Sequence, residues 1–264
     1  MSDSRTDPAA PPPSAESPFP VPLRVGLDAP LRWVRAGVRD LRAAPGPSLF
    51  YGLAFALAGW LIYLVFRFAY AYAYGLTWGF LLVGPYLATG LYDISRRLEA
   101  GEAVRLRPTL TAWRANVGAF SVFWIVLTVL MLLWSRASLI VFALYFSSGL
   151  PSVADLLGRV LSLEHWDFVL AYFAIGAIFA VIVFSISVVS IPLMLDRRTD
   201  AIVAAITSVR ALLENPAPML LWALLIVVLI GIGFATRFVG LVVAAPIVGH
   251  ATWHAYRELI DPLR

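Results

Sequence analysis

Residues 201–258 read AIVAAITSVRALLENPAPMLLWALLIVVLIGIGFATRFVGLVVAAPIVGHATWHAYRE. The stretch predicts an amphipathic helix, AIVAAITSVRALLEN, then a corner at Pro216-Ala217-Pro218. Two apolar spans follow, MLLWALLIVVLIGIGFAT and FVGLVVAAPIVGHATWHAY, with only Arg237 between them. Each reaches the roughly 18 apolar residues that a helix needs to cross a hydrocarbon core. The unit is a helical hairpin preceded by a helix suited to the membrane surface.

The rest of the chain has the composition such a unit requires. Of 264 residues, 61% are hydrophobic and only 14% charged, against roughly 25% charged in soluble domains. Mean hydropathy is +0.83. A water-soluble globule is excluded as the expectation, and a bilayer is the solvent that fits. All 20 basic residues are arginine, and cysteine is absent, so disulfides, thiolate zinc sites and thiol nucleophiles are ruled out.

The same grammar recurs upstream. Residues 1–27, with Pro11-Pro12-Pro13, lack apolar periodicity and read as a disordered tail without a signal peptide. Over 30–43, Leu31, Val34, Val38 and Leu41 form one stripe and Arg32, Arg35, Arg39 and Arg42 its neighbour. Such a helix, with Asp28 as its expected N-cap, lies in the headgroup layer and contacts anionic lipid. Pro45-Gly46-Pro47 turns the chain into span one, 48–66. Arg67 and an interfacial aromatic belt, FAYAYAY, lead to span two, about 75–94. Asn116 precedes a third apolar run reaching Phe146. As one helix that run is about 45 Å long against a core of about 30 Å, so it either tilts and protrudes or breaks near Ser135. An amphipathic segment, VADLLGRVLSL, follows Pro151, and span four covers about 167–195.

The expected architecture is all-α and polytopic, with six transmembrane helices in three hairpins and interfacial amphipathic helices. After the tail, 28–264 form a single membrane domain with units at about 30–95, 106–196 and 200–260. First spans end in Arg67, Arg136 or Arg237, and second spans carry Pro85, Pro192 or Pro246. With both termini cytoplasmic, 16 arginines fall inside and 4 outside, the asymmetry of a positive-inside protein.

Four and eight residues beyond each second-span proline stand Thr89 and Asp93, Asp196 and Asp200, His250 and His254. Each pair shares a helix face near the cytoplasmic end. Two readings stand: a cluster that handles a solute, proton or ion, or polar residues near helix ends, with Asp200 capping the next helix. His250 and His254 have a metal-ligand spacing but no third histidine nearby, His165 falling on the opposite side. No phosphate loop or nucleophile elbow is present, so no enzyme is expected.

LRAAPGPSLFYGLAFALAGW, GFLLVGPYLATGLYDISRRLE, VSIPLMLDR and NPAPMLLWAL with PIVGHATWHAYREL resemble a bacterial family of multi-span inner-membrane proteins, domain of unknown function 2189. The likeness covers about 30–260. It implies a multi-pass protein of the bacterial inner membrane and no established activity. Some members are labelled as related to an oxidase subunit, but three histidines are too few for a haem-copper centre.

Three functions fit these features. The first is a non-enzymatic scaffold, assembly or envelope-maintenance protein. The second is a small-solute, ion or lipid permease, and the third a metal- or haem-binding redox protein centred on His250 and His254. Expected partners are the bilayer, its anionic headgroups, and a membrane protein or second copy. Neither nucleic acid nor a cofactor is expected.

Overall fold

The computed structural model describes residues 20–68, 70–146 and 166–260, and the side chains of all of these but 70–82. The segment VADLLGRVLSL, His165 and most of the aromatic belt's side chains therefore lie outside the described residues. Ten helices are described: α1 (Ala29–Ala43), α2 (Pro45–Phe68), α3 (Tyr70–Glu99), α4 (Leu106–Thr109), α5 (Val117–Tyr145), α6 (Trp166–Ser187), α7 (Ser190–Arg197), α8 (Ala201–Glu214), α9 (Pro216–Ala235) and α10 (Leu241–Leu259). A 3-10 turn, Ala112–Asn116, leads into α5. Among the described residues the one β-type pairing is an isolated bridge between Pro22 and Ile260.

Among the described residues, four helical stretches are long and apolar enough to cross a membrane: Pro45–Phe68, Ala112–Tyr145, Trp166–Arg197 and Pro216–Ala235. Length and composition thus support four of the six expected spans. Among the described residues α3 does not meet the criterion, and α10, whose last turns carry His250, His254, Arg257 and Glu258, is too polar. The most apolar windows of α2, α5 and α9 are each only 22% buried, which puts these three at the periphery. Their outward faces are hydrocarbon, as in Leu53, Leu57, Leu61 and Leu64 on α2.

α10 is the central element. Twelve of its 19 residues are buried, and it packs against α1, α2, α3 and α9. Small residues make this close approach feasible, as at interfaces between helices in lipid. A Cβ on Gly52 of α2 would overlap the Val242 carbonyl oxygen and lie 2.7 Å from its carbon. A Cβ on Gly37 of α1 would lie 2.7 Å from the Ile247 carbonyl oxygen. Consecutive long helices also pair, α2 with α3, α5 with α6 and α9 with α10. The tight α9–α10 turn puts Arg237 and Phe238 at φ 54° and 68°, and the Thr236 hydroxyl accepts from Gly240 N at 2.9 Å.

The two long apolar runs end differently. α5 continues unbroken through Ser135, as the tilted or protruding alternative requires. The fourth run breaks after Ser187 and restarts at Ser190, with Pro192 in the first turn of α7, where its missing N–H removes no helical bond. Pro85 and Pro246 lie inside continuous helices.

α1 differs from its expected stripe. Its buried face is Ala29, Pro30, Trp33, Gly37 and Asp40, whereas Leu31 is 47% exposed. Packing against α10 selects the face with Gly37, because that face permits the closest backbone approach. Asp28 makes no capping bond, and its carboxylate pairs with Arg32 instead.

Candidate functional site

The polar residues concentrate where α10 meets its neighbours. His250 is fully buried, with a serine hydroxyl on each ring nitrogen: Ser48 Oγ at 2.9 Å from Nε2 and Ser95 Oγ at 2.8 Å from Nδ1. Ser48 donates to the Ala44 carbonyl at 2.7 Å. Its oxygen therefore accepts from His250 Nε2–H, which leaves Nδ1 of the neutral ring as an acceptor facing Ser95. One imidazole thus joins α2, α3 and α10.

One turn on, His254 Nε2 lies 2.8 Å from Asp40 Oδ2 of α1. Burial raises the Asp40 carboxyl pKa, but hydrogen bonds from His254 and Ser95, with the fields of His254 and His250, outweigh it. The net result is a value below the usual 3.8. Ser95 thus stands between His250 and Asp40, and its single proton serves one or the other.

Asp93 is 2% exposed, and both its oxygens are occupied. Arg96 Nη2 donates to one at 2.6 Å and Arg97 Nε to the other at 2.7 Å. Thr89 turns its hydroxyl back to the Pro85 carbonyl of its own helix at 2.8 Å. Asp196 accepts from the Tyr256 hydroxyl at 2.6 Å and lies 3.5 Å from Arg257 Nη1. Glu99 accepts from Trp253 Nε1 and Arg257 Nε, both at 3.0 Å. Asp200 caps α8, accepting from the Ile202 and Val203 amides at 2.8 and 2.9 Å.

The six residues singled out by spacing therefore separate into groups. Asp93 and Asp196 line one pocket of about 300 Å³ with Arg96, Arg97 and Arg198. His250 and His254 face α1, α2 and α3 instead, and Asp200 serves its own helix. Among the described residues no three His, Asp or Glu side chains converge as a metal site would require. Both His250 nitrogens are already engaged by hydroxyls.

On α1, Arg32, Arg35, Arg39 and Arg42 are all exposed. Arg32 pairs with Asp28 and Glu258. Arg35 and Arg39 border a groove of about 540 Å³ completed by Trp33, His254 and Arg257. Trp33 closes its floor, donating from Nε1 to Glu258 at 2.8 Å.

Sequence reasoning missed Ser48, Ser95, Asp40 and Glu99. Asp40 carried a signal, being the single acidic residue of an arginine-rich helix. The serines carried none, because their partner lies 202 and 155 residues away.

No curated protein and no solved structure matches the chain. One family model does, over the segment from α3 to the end of α7 that carries Asp93, Ser95 and Asp196. Residues 72–196 match the family described as predicted integral membrane protein, DUF2189, which is the family that the sequence motifs resemble.

Proposed function

We propose that this is a non-enzymatic protein of the bacterial inner membrane, acting as a scaffold or assembly element through its basic cytoplasmic face. In this reading all three hairpins cross the bilayer, α3 and α10 being polar spans shielded by α2 and α9. Both termini are cytoplasmic. The arginine asymmetry and the packing of α3 along α2 and of α10 along α9 support that topology.

One observation carries the reading. The polar groups that could serve a solute or a metal are bound to one another, whereas Arg35, Arg39 and Arg42 face outward with no ion pair among the described residues. Guanidinium groups left on a surface helix suit phosphate headgroups, at about 1 kcal/mol each. In a deletion strain, changing Arg35, Arg39 and Arg42 to Gln should abolish complementation, while His254→Ala should retain it. The reverse pattern would sink the reading.

The pocket shared by Asp93 and Asp196 favours a second reading, a permease for a small solute or ion. Flux into vesicles that is lost in Asp93→Asn would establish it, provided the variant still inserts. Absence of flux with inserted wild-type protein across a broad solute panel would dispose of it.

A further inference from the structure

Set in register at the corners Ala44, Asn116 and Asn215, the outer helices α2, α5 and α9 carry Gly52, Trp124 and Ala223 at one equivalent position. Each position faces a seam with the second long helix of another hairpin, and the three seams differ. At the first, Gly52 lets α2 close onto α10, with no room for a Cβ beside Val242 and Pro246. At the second, Trp124 plugs the space between α5 and α3, its ring 6.3 Å from that of Tyr86. Only about 10 Å³ of cavity is left there. At the third, Ala223 is too large to let the backbones touch and too small to fill the gap. α9 and α6 barely meet, and an apolar cleft of about 480 Å³ remains. Its walls are Ala180, Val181 and Phe184 on α6 and Leu220, Ala223 and Val227 on α9.

We propose that the α6–α9 cleft is a lateral binding site for the hydrocarbon chain of a membrane lipid. Both walls belong to stretches apolar enough to span the bilayer, so the cleft opens where hydrocarbon is the solvent. Its lining is made of apolar residues throughout, and its volume lies in the range of small-molecule sites, about 300–1,000 Å³. One end is formed by Leu212 and Pro216, at the corner between amphipathic α8 and α9, the level at which a headgroup belongs. Nine lining residues are far fewer than the roughly 20–30 a side of a stable protein interface, which argues against a second copy as occupant.

The site is tested with the full chain in phosphatidylethanolamine–phosphatidylglycerol vesicles doped with a phospholipid carrying a diazirine on one acyl chain. After illumination, labelled residues are mapped by mass spectrometry. Labelling on the cleft walls should exceed that at the lipid-facing Leu57 and Leu61 of α2 by about tenfold, the ratio expected of a modest affinity difference. Ala223→Trp, copying the plug of the second seam, should remove the excess and leave α2 labelling unchanged. Val227→Phe should do the same if the first variant does not fold. Equal labelling at the cleft and α2, or an excess that survives both substitutions, would overturn the proposal. So would a cross-link between two chains formed efficiently by Ala180→Cys or Val227→Cys, since it would put a second copy in the cleft.

Discussion

Asp40 has a carboxylate held inside the bundle by His254 and Ser95, and its charge is favoured over its protonated form in the folded state. The sign of its pH dependence follows. A carboxyl whose folded value lies below its unfolded one contributes stability that is fully present above the unfolded value. That contribution is lost as the pH falls through the folded value. The melting temperature of detergent-solubilised protein should therefore drop as the pH is lowered below 3.8, and Asp40→Asn should flatten that drop. A variant with the wild-type pH profile would remove Asp40 from the account. The residues that spacing marked out fared unevenly. Asp200 caps its helix because its partners lie two and three residues on, within reach of any local reading. His250 acquired its partners only when α2, α3 and α10 came together.

At the level of elements, two asparagines do similar work at equivalent corners. Asn215 accepts from Val25 N at 2.8 Å and donates to the Leu23 and Ala211 carbonyls at 2.9 and 3.1 Å, tying residues 23–25 to the α8–α9 corner. Asn116 donates to the Met194 and Thr199 carbonyls at 3.1 and 2.8 Å, tying α7 to the start of α5. Leu23 N also donates to the Leu259 carbonyl at 2.7 Å. The sequence marks both asparagines as corners without indicating what they hold. Asn215→Ala leaves a buried amide and carbonyl unsatisfied, and should cost about 2–3 kcal/mol, read as a lower thermal midpoint. Glycines separate in the same way. Gly52→Leu should disrupt the α2–α10 contact by at least the 1–3 kcal/mol typical of overpacking. Gly231→Ala, with nothing within 4 Å of its added Cβ, should stabilise α9 by up to about 1 kcal/mol. If the two variants melted alike, the closed seam would not be the contact that orders α2 against α10.

For the whole molecule, the topology proposed above makes a direct prediction, and the absence of native cysteine makes it accessible. Single cysteines replacing Val104 and Thr199 should react with membrane-impermeant reagents only from the cytoplasmic side. Those replacing Tyr70 and Val160 should react only from outside. Reaction at Val104 or Thr199 from outside would reverse the assignment of inner and outer surfaces and with it the role of α1.

The sequence by itself determined that this chain belongs in a bilayer as helices, because run length and apolarity are properties of consecutive residues. It also determined where the corners fall, since Pro45, Asn116 and Pro216 act on their own backbone. Only the tertiary structure decided which face of α1 is buried, that Asp196 meets the Tyr256 hydroxyl, and that α10 is wrapped by α1, α2, α3 and α9. It alone distinguished a seam closed at Gly52 from one left open at Ala223. Those outcomes depend on distances between residues far apart in the chain, and a difference of one side chain in size changes them without leaving any trace in local periodicity.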